Sequence, residues 1–337
     1  MSLSINTNVI SLAVQRNFNA STNKMNNAME KMTTGFKINT AADDAAGYGV
    51  VKNLESILNT YTVAETNGEM GSSLLQTQEG VLEIISSYVQ RIRDLTEQAA
   101  NGTYATSSRI AIASEVKQRM NEMNRMCDVT DFNGLKLLDG SQVDGVNLQV
   151  GINSGPENVI VLDKTLFEDA HVTSIMDFAT LGGVSTASNA TQDDTHKYKG
   201  DTNYFESAML AAINAYDKSI VADDGTIDTT KMTIENICDA VFSNDNSARE
   251  FLDIVDIAVS NLTTRATEIG SYMNRVDSAV ESLAVQSDNL TEAKSLIKDA
   301  DIAQISSEYL SYQILQQAGA TMLTTANQAT SIALNLI

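Results

Sequence analysis

Two histidines, two cysteines and the adjacent carboxylate pairs Asp43–Asp44 and Asp193–Asp194 are the residues of this chain whose types and spacing invite a chemical role. Asp193, Asp194 and His196 fall within four positions and together could catch a divalent cation, but three weak donors in a Ser/Thr-rich stretch read first as a solvated surface. Cys127 and Cys238 are too few for a disulfide framework or a four-thiolate zinc site. Cys127 ends an amphipathic stretch and reads as a small buried residue rather than a nucleophile. Asp43 and Asp44 point apart on a helix, so after Thr40 they read as an N-cap and first-turn charge. The signatures H-E-x-x-H, G-x-S-x-G and G-x-x-x-x-G-K-S/T are absent from the sequence. An enzyme reading has no support, and no metal or cofactor is expected.

Charge narrows the partners. The 337 residues carry 22 Lys and Arg against 43 Asp and Glu, a net charge of −21 that repels phosphate and argues against nucleic acid and anionic membrane surfaces. No apolar run reaches the roughly 18 residues of a bilayer span, so membrane insertion is not expected. The opening residues lack the basic, apolar and small-residue regions of a classical secretory signal. Sequons at Asn19, Asn101, Asn189, Asn261 and Asn289 therefore read as chance matches. Pro156 is the one proline and aromatics make up 5 %, which predicts a mainly helical chain with long helices.

The elements follow from periodicity. Leu252, Val255, Val259, Leu262, Ala266, Ile269, Met273, Val276, Val280, Leu283, Ser287 and Leu290 alternate steps of 3 and 4, the pattern of a helix keeping one seam on a partner. Near the C-terminus Ile305, Tyr309, Tyr312, Leu315, Ala318, Met322, Ala326, Ala329, Ala333 and Leu336 continue in steps of 3 or 4. Near the N-terminus Ile10, Val14, Phe18, Met25, Met29, Met32 and Phe36 form another stripe. Helical runs are also predicted over about 44–100, with Val81, Ile85, Tyr88, Ile92, Leu95 and Ala99 as its last seam, and over about 105–129. Antiparallel bundles built from both chain ends are the expected architecture, and a plain helical bundle is the alternative that periodicity leaves open.

Between these runs the period falls to two. Leu135 and Leu137, Val146, Leu148 and Val150, then Val159 and Val161 alternate among Asp-Gly and Asn-Gly turns, which predicts short hairpins. Residues 163–246 are rich in Ser, Thr, Asn, Asp and Gly, with helical islands near 203–221 and 231–242, and carry 15 acidic against five basic side chains. This stretch reads as a separate, solvent-facing insert. Residues 1–40 carry a net +3 and residues 299–337 a net −3, so the ends attract each other, although exposed pairs contribute only about 0–1 kcal/mol each.

Several runs are then recognisable. Ile5-Asn-Thr-Asn8, Lys37-Ile-Asn-Thr-Ala-Ala-Asp-Asp-Ala-Ala-Gly47, Gln90-Arg-Ile-Arg-Asp-Leu95, Gln98-Ala-Ala-Asn-Gly-Thr103 and Phe132-Asn-Gly134 resemble the N-terminal region of bacterial flagellins. Ala293-Lys-Ser-Leu-Ile-Lys-Asp-Ala-Asp301, Gln313-Ile-Leu-Gln-Gln-Ala-Gly319 and Ala326-Asn-Gln328 resemble the C-terminal region of the same family. The resemblance covers about 1–162 and 247–337. The chain departs from many members in ending without a basic residue and in lacking a proline after Gln328.

The resemblance implies a mainly α fold, with long coiled-coil helices from both chain ends, a small β-hairpin region and a mixed variable outer domain. Residues 1–43 and 299–337 would be the inner coiled coil, 44–162 and 247–298 a helical bundle with β-hairpins, and 163–246 the acidic outer domain. It implies a homopolymeric flagellar filament for motility. The polymer contacts would come from Ile10, Val14, Phe18, Met25, Met29, Met32, Ile305, Tyr309, Tyr312, Leu315, Met322 and Leu336. These segments would order only on assembly, being too weakly apolar to pair alone in water. Export by the flagellar secretion route without a cleaved signal, an export chaperone on the C-terminal segment, and flagellar cap and hook-associated proteins as partners are further implications. So is recognition by host Toll-like receptor 5 through the matching positions Gln90, Arg91, Leu95 and Glu115. A hook–filament junction protein of the same superfamily is the alternative, and the Lys37–Gly47 and Gln313–Gly319 matches favour the filament.

Overall fold

A computed structural model describes residues 8–176, 233–243 and 245–335. The helical island read at 203–221, the Asp193, Asp194 and His196 cluster, and Leu336 lie outside the described residues. Helices α1 (Val9–Thr34), α2 (Ala45–Ala99), α3 (Thr106–Val129), α4 (Val172–Ile175), α5 (Ile234–Val241), α6 (Asp245–Lys298) and α7 (Ile302–Asn335) dominate. Strands β1 (Asp131–Phe132), β2 (Leu135–Lys136), β3 (Val146–Gln149) and β4 (Val159–Leu162) form two antiparallel hairpins. The chain divides into two compact units, Met1–Val63 with Ser282–Ile337, and Ala64–Glu281.

In the first unit α1 lies along α7. Asn8 caps α1, its Oδ1 accepting from the Ser11 N–H at 3.0 Å while its Nδ2 donates to the Ala326 carbonyl at 2.9 Å. The two linkers that leave this helix pair are joined by backbone. Phe36 bridges Asp299 in antiparallel fashion, the Lys37 N–H donates to the Lys298 carbonyl at 2.6 Å, and the Ala300 N–H donates to the Gly35 carbonyl at 3.0 Å. The carboxylate pair at the start of α2 divides its work. Asp44 Oδ1 accepts from the N–H groups of Ala46 at 3.1 Å and Gly47 at 3.0 Å and so caps the helix. Asp43 Oδ2 closes the preceding turn by accepting from the Thr40 N–H at 2.9 Å and the Asn39 N–H at 3.2 Å. The Thr40 N–H leads the contacts that hold the Asp43 carboxyl below its ordinary pKa.

The second unit holds the large core. Leu75, Gln78, Leu82, Ile85, Val89, Ile92, Thr96 and Ala99 form one continuous buried row on α2, in alternating steps of 3 and 4. Val116, Met120, Met123 and Cys127 of α3 and the heptad row Val255, Leu262, Ile269 and Val276 of α6 are buried in the same unit. Side chains of this size each contribute about 1.5–3 kcal/mol on burial. Both flanks of the acidic insert enter this core. Leu166, Phe167, Val172 and Met176 on one side and Ile237, Cys238, Val241 and Phe242 on the other are buried, so these flanks are core and not solvent-facing.

Two glycines let a hairpin and a helix approach α2 closely. A Cβ on Gly68 would stand 2.4 Å from Val280 Cγ2, and one on Gly71 would stand 2.4 Å from Leu148 Cδ1. The β1–β2 hairpin turns on Asn133 (φ 52°) and Gly134 (φ 83°), the left-handed pair that a two-residue loop needs. In β3–β4 the inward side chains are Ile160 and Leu162, with Val161 exposed. The period-two pattern of the sequence instead places Val159 and Val161 on one apolar face. A one-residue slip exchanges the faces of a strand, and in an all-apolar run only packing decides the phase.

Candidate functional site

The paired termini show which stripe residues meet within one chain. On α1 the covered side is Val14, Phe18, Thr22, Met25 and Ala28, while Ile10 (61 % exposed), Met29 and Met32 face outward. On α7 the covered row is Ile305, Tyr309, Tyr312, Gln316, Gly319, Leu323 and Ala326, in alternating steps of 4 and 3. The expected stripe therefore slips after Tyr312, because Leu315 and Met322 are 51 % and 59 % exposed. Direct contacts fix this register. Gln316 Nε2 donates to Thr22 Oγ1 at 3.0 Å, and a Cβ on Gly319 would lie 3.4 Å from the Phe18 ring. Lys24 sits over the Tyr312 ring, 5.6 Å from its centroid. Thr22, Gln316 and Gly319 were missed because the apolar residue type was followed. The strict seven-residue spacing Ile305, Tyr312, Gly319, Ala326 is the signal that finds the seam.

This pair buries little. Ala28 is the one fully buried residue of α1, and Ile305 is the one on α7 among the described side chains. Leu12, Leu310 and Ile314 join Ile10, Met29, Met32, Leu315 and Met322 as exposed large apolar side chains on the two helices. Exposed apolar area of this extent is the kind that marks an interaction surface.

The second unit carries a charged face on α2 and α3. Gln90 and Arg91 are exposed and Glu115 is half-buried, and Arg91 Nε lies 3.3 Å from Glu115 Oε1. Arg119 Nη2 reaches the same oxygen at 3.0 Å and its guanidinium lies 5.9 Å from the Tyr88 ring centroid. The hydrogen bond from Arg119, with Arg91 adding its charge, holds the Glu115 carboxyl below the ordinary carboxylate range. Leu95 does not share this surface, being 2 % exposed. It stands four residues from Arg91, but lies beside the buried row of Ile92, Thr96 and Ala99 and packs inward. Arg93 Nε pairs with Asp256 Oδ1 at 2.6 Å and ties α2 to α6, and Lys117 pairs with Glu235 to tie α3 to α5. Water screens such exposed pairs, so they position the helices more than they stabilise them.

The remaining chemical candidates are structural. The buried Cys127 thiol donates to the Ala170 carbonyl at 3.2 Å, and burial pushes Cys127 and Cys238 up to about 12, so neither is a thiolate nucleophile. His171 lies between Asp169 and Asp128. Among the described residues no group of three His, Cys, Asp or Glu could hold a metal ion, and no helix is long and apolar enough to cross a membrane.

Comparison with known proteins then adds the family context. Residues 5–143 match the bacterial flagellin N-terminal helical region, and residues 252–337 match the bacterial flagellin C-terminal helical region. The chain is 30 % identical to a flagellin of Clostridium tyrobutyricum, across 97 % of this chain and 99 % of that one. It is 28 % identical to polar flagellin F of Vibrio parahaemolyticus, with both chains covered in full. Among solved structures, a flagellar hook-associated protein of Vibrio parahaemolyticus covers 76 % of this chain and 99 % of its own, at 15 % identity and a TM-score of 0.49.

Proposed function

We propose a mode of assembly for this chain, which belongs to the bacterial flagellin family and is a structural subunit of the flagellar filament, in the extracellular part of the flagellum. It is a structural protein and not an enzyme. In our reading α1 and α7 supply the inner polymer contacts and become ordered when neighbouring subunits cover them. The observation that carries this is the poverty of the α1–α7 seam, set against the exposed Ile10, Leu12, Leu310, Ile314, Leu315 and Met322. Two helices joined through Thr22, Gln316 and Gly319 gain too little burial to offset the ordering of some sixty residues, at about 1–2 kcal/mol each. Neighbouring copies with the same exposed faces supply the rest.

The same reading extends to partners. The C-terminal helix is the segment that an export chaperone would cover, since its apolar faces are otherwise exposed during passage through the flagellar secretion route. Cap and hook-associated proteins would meet subunits through these helices at the filament ends. Toll-like receptor 5 would be recognised through Gln90, Arg91 and Glu115, with Leu95 supporting the α2 backbone from beneath.

Negative-stain microscopy and sedimentation of the purified chain, seeded with filament fragments, test the assembly reading. A control lacks residues 1–35 and 300–337. Filaments from the full chain alone support it. A full chain that stays monomeric with both ends already protected from protease overturns it.

A further inference from the structure

We propose that His171 is a charge-operated clasp that ties the chain leading into residues 177–232 to the end of α3, closed when the imidazole is protonated and loosened when it is not. The argument starts from the two ring nitrogens. Nδ1 is hydrogen-bonded to Asp169 Oδ1, and Nε2 lies 3.1 Å from Asp128 Oδ1 in the last turn of α3. A neutral imidazole has one N–H and one bare lone pair, so it serves one of these carboxylates and presents a lone pair to the other. The imidazolium alone donates to both. With its side chain 21 % exposed, the ring is partly shielded from water that would otherwise replace the lost partner.

The surroundings make the ring a tie between elements. Next to it the Val172 N–H donates to Asn124 Oδ1 of α3 at 2.9 Å, and the Ala170 N–H donates to the Leu138 carbonyl at 2.9 Å. Ser174 Oγ donates to the second Asp169 oxygen at 2.8 Å, which fixes the carboxylate that holds Nδ1. The charged and titratable neighbours come from every side. α3 supplies Asp128 and the Cys127 thiol, and the segment itself supplies Glu168 and Asp169. α6 supplies Arg265, whose Nη2 lies 3.8 Å from Glu168 Oε2 and 3.4 Å from the Asp169 carbonyl. Asp139, in the nearby 138–141 loop, is engaged within that loop, its Oδ1 accepting from the Ser141 N–H at 2.9 Å. Cys127 stays a neutral thiol up to about pH 12. The switching charge is therefore that of the ring, facing two fixed carboxylates.

Burial opposes a charged ring, but the Asp169 and Asp128 carboxylates outweigh it, and the His171 pKa stands above its ordinary 6.5. A raised histidine pKa gives stability that is full below the unfolded value and is lost as pH rises through the folded value. The Asp169 carboxyl, for which hydrogen bonds from the His171 N–H, its ring and Ser174 overcome the effect of burial, lies below its ordinary 3.8. Its contribution is lost only as pH falls below the carboxylate range. The clasp thus holds below the ordinary histidine value and opens as pH rises through the raised folded-state value, at the chain's entry into residues 177–232.

The test uses the full-length chain with 13C-labelled histidine. The substitution H196Q leaves His171 as the single histidine signal. Its titration midpoint is expected above 6.5 and should fall by about one unit, a tenfold change in proton affinity, when D128N is added. Amide protection factors at Val172, Ile175 and Met176 should drop about tenfold between pH 6 and pH 9, and the pH dependence should vanish in H171Q. A midpoint at or below 6.5, a midpoint indifferent to D128N, or protection that does not change with pH in the unmodified chain overturns the clasp. Should H171Q fail to fold, the titration and the unmodified chain still decide.

Discussion

Glu55 and Lys298, 243 positions apart in the chain, meet with Lys298 Nζ 2.7 Å from Glu55 Oε1. The same ammonium stands 4.3 Å from the centroid of the Phe36 ring, and the Lys298 carbonyl accepts from the Lys37 N–H at 2.6 Å. One lysine thus fastens the linker after α1 to the linker before α7, through charge, ring and backbone together.

The Glu55 carboxyl is held down at about 2 by the hydrogen bond from Lys298 first and that from Lys52 second. A depressed carboxylate pKa stabilises above the unfolded value and is lost as pH falls through the folded one. At pH 7 we expect E55Q to lower the thermal midpoint of assembled filaments, by an effect on the order of 1 kcal/mol after solvent screening. Scanning calorimetry should show the gap narrowing progressively as pH falls below about 4.5 toward 2.

Gly319 tests the seam. Its missing Cβ would meet Phe18 at ordinary contact distance, 3.4 Å, so G319A should be accepted and should favour the helix by about 1 kcal/mol. G319L has no such space and should force α7 away from Phe18. Sedimentation should find a lower critical concentration for the alanine variant and a raised one, or no filaments, for leucine.

Outward apolar residues should separate assembly from folding. The double substitution L310E/I314E leaves the Gln316–Thr22 register and the second unit untouched but puts charge on a face 55 % and 65 % exposed in the isolated chain. Seeded growth should cease while thermal unfolding of the second unit keeps its midpoint. Filaments forming at normal concentration would show that this face is not a polymer contact.

Gln78 is wholly buried and donates through Nε2 to the Leu137 carbonyl at 3.2 Å and to the Leu166 carbonyl. Q78M keeps the volume and removes both donors. The two stranded carbonyls should cost about 1–3 kcal/mol, read from the urea midpoint of a chain lacking residues 1–35 and 300–337 if that chain remains folded, and otherwise from the full chain.

For receptor recognition, R91A and E115A should each weaken binding to an immobilised Toll-like receptor 5 ectodomain by about tenfold, roughly 1.4 kcal/mol. L95A acts differently, because its side chain is buried. It should cost about 2–5 kcal/mol of stability in chemical unfolding before any effect on binding is considered.

Much of the architecture was legible because long helices carry long repeats. The row Val255, Leu262, Ile269 and Val276 was read from the sequence and is buried, and the Asn133-Gly134 turn was visible as a residue pair. The seam of α7 was read one residue off after Tyr312. Apolar type points to Leu315 and Met322, whereas close helix contact selects the small Gly319 and the hydrogen-bonding Gln316. The family motif groups Leu95 with Gln90, Arg91 and Glu115, whereas the apolar period of the 44–100 helix places it in the seam with Ile92 and Ala99, and its burial follows the period. The flanks of the insert were assigned to solvent because Asp, Ser and Thr dominate its average composition. Leu166, Phe167, Val241 and Phe242 are few, but they sit where the chain returns to the helices.

Cys127 and Cys238, both buried and both pushed up to about 12, matter most when copies are multiplied. A filament repeats every surface group thousands of times along its length, so one reactive thiol per subunit would become a dense array of cross-linking points. Folded subunits of this chain offer none. A single cysteine placed on an exposed position of α2 would consequently be the sole site for thiol labelling along an entire filament.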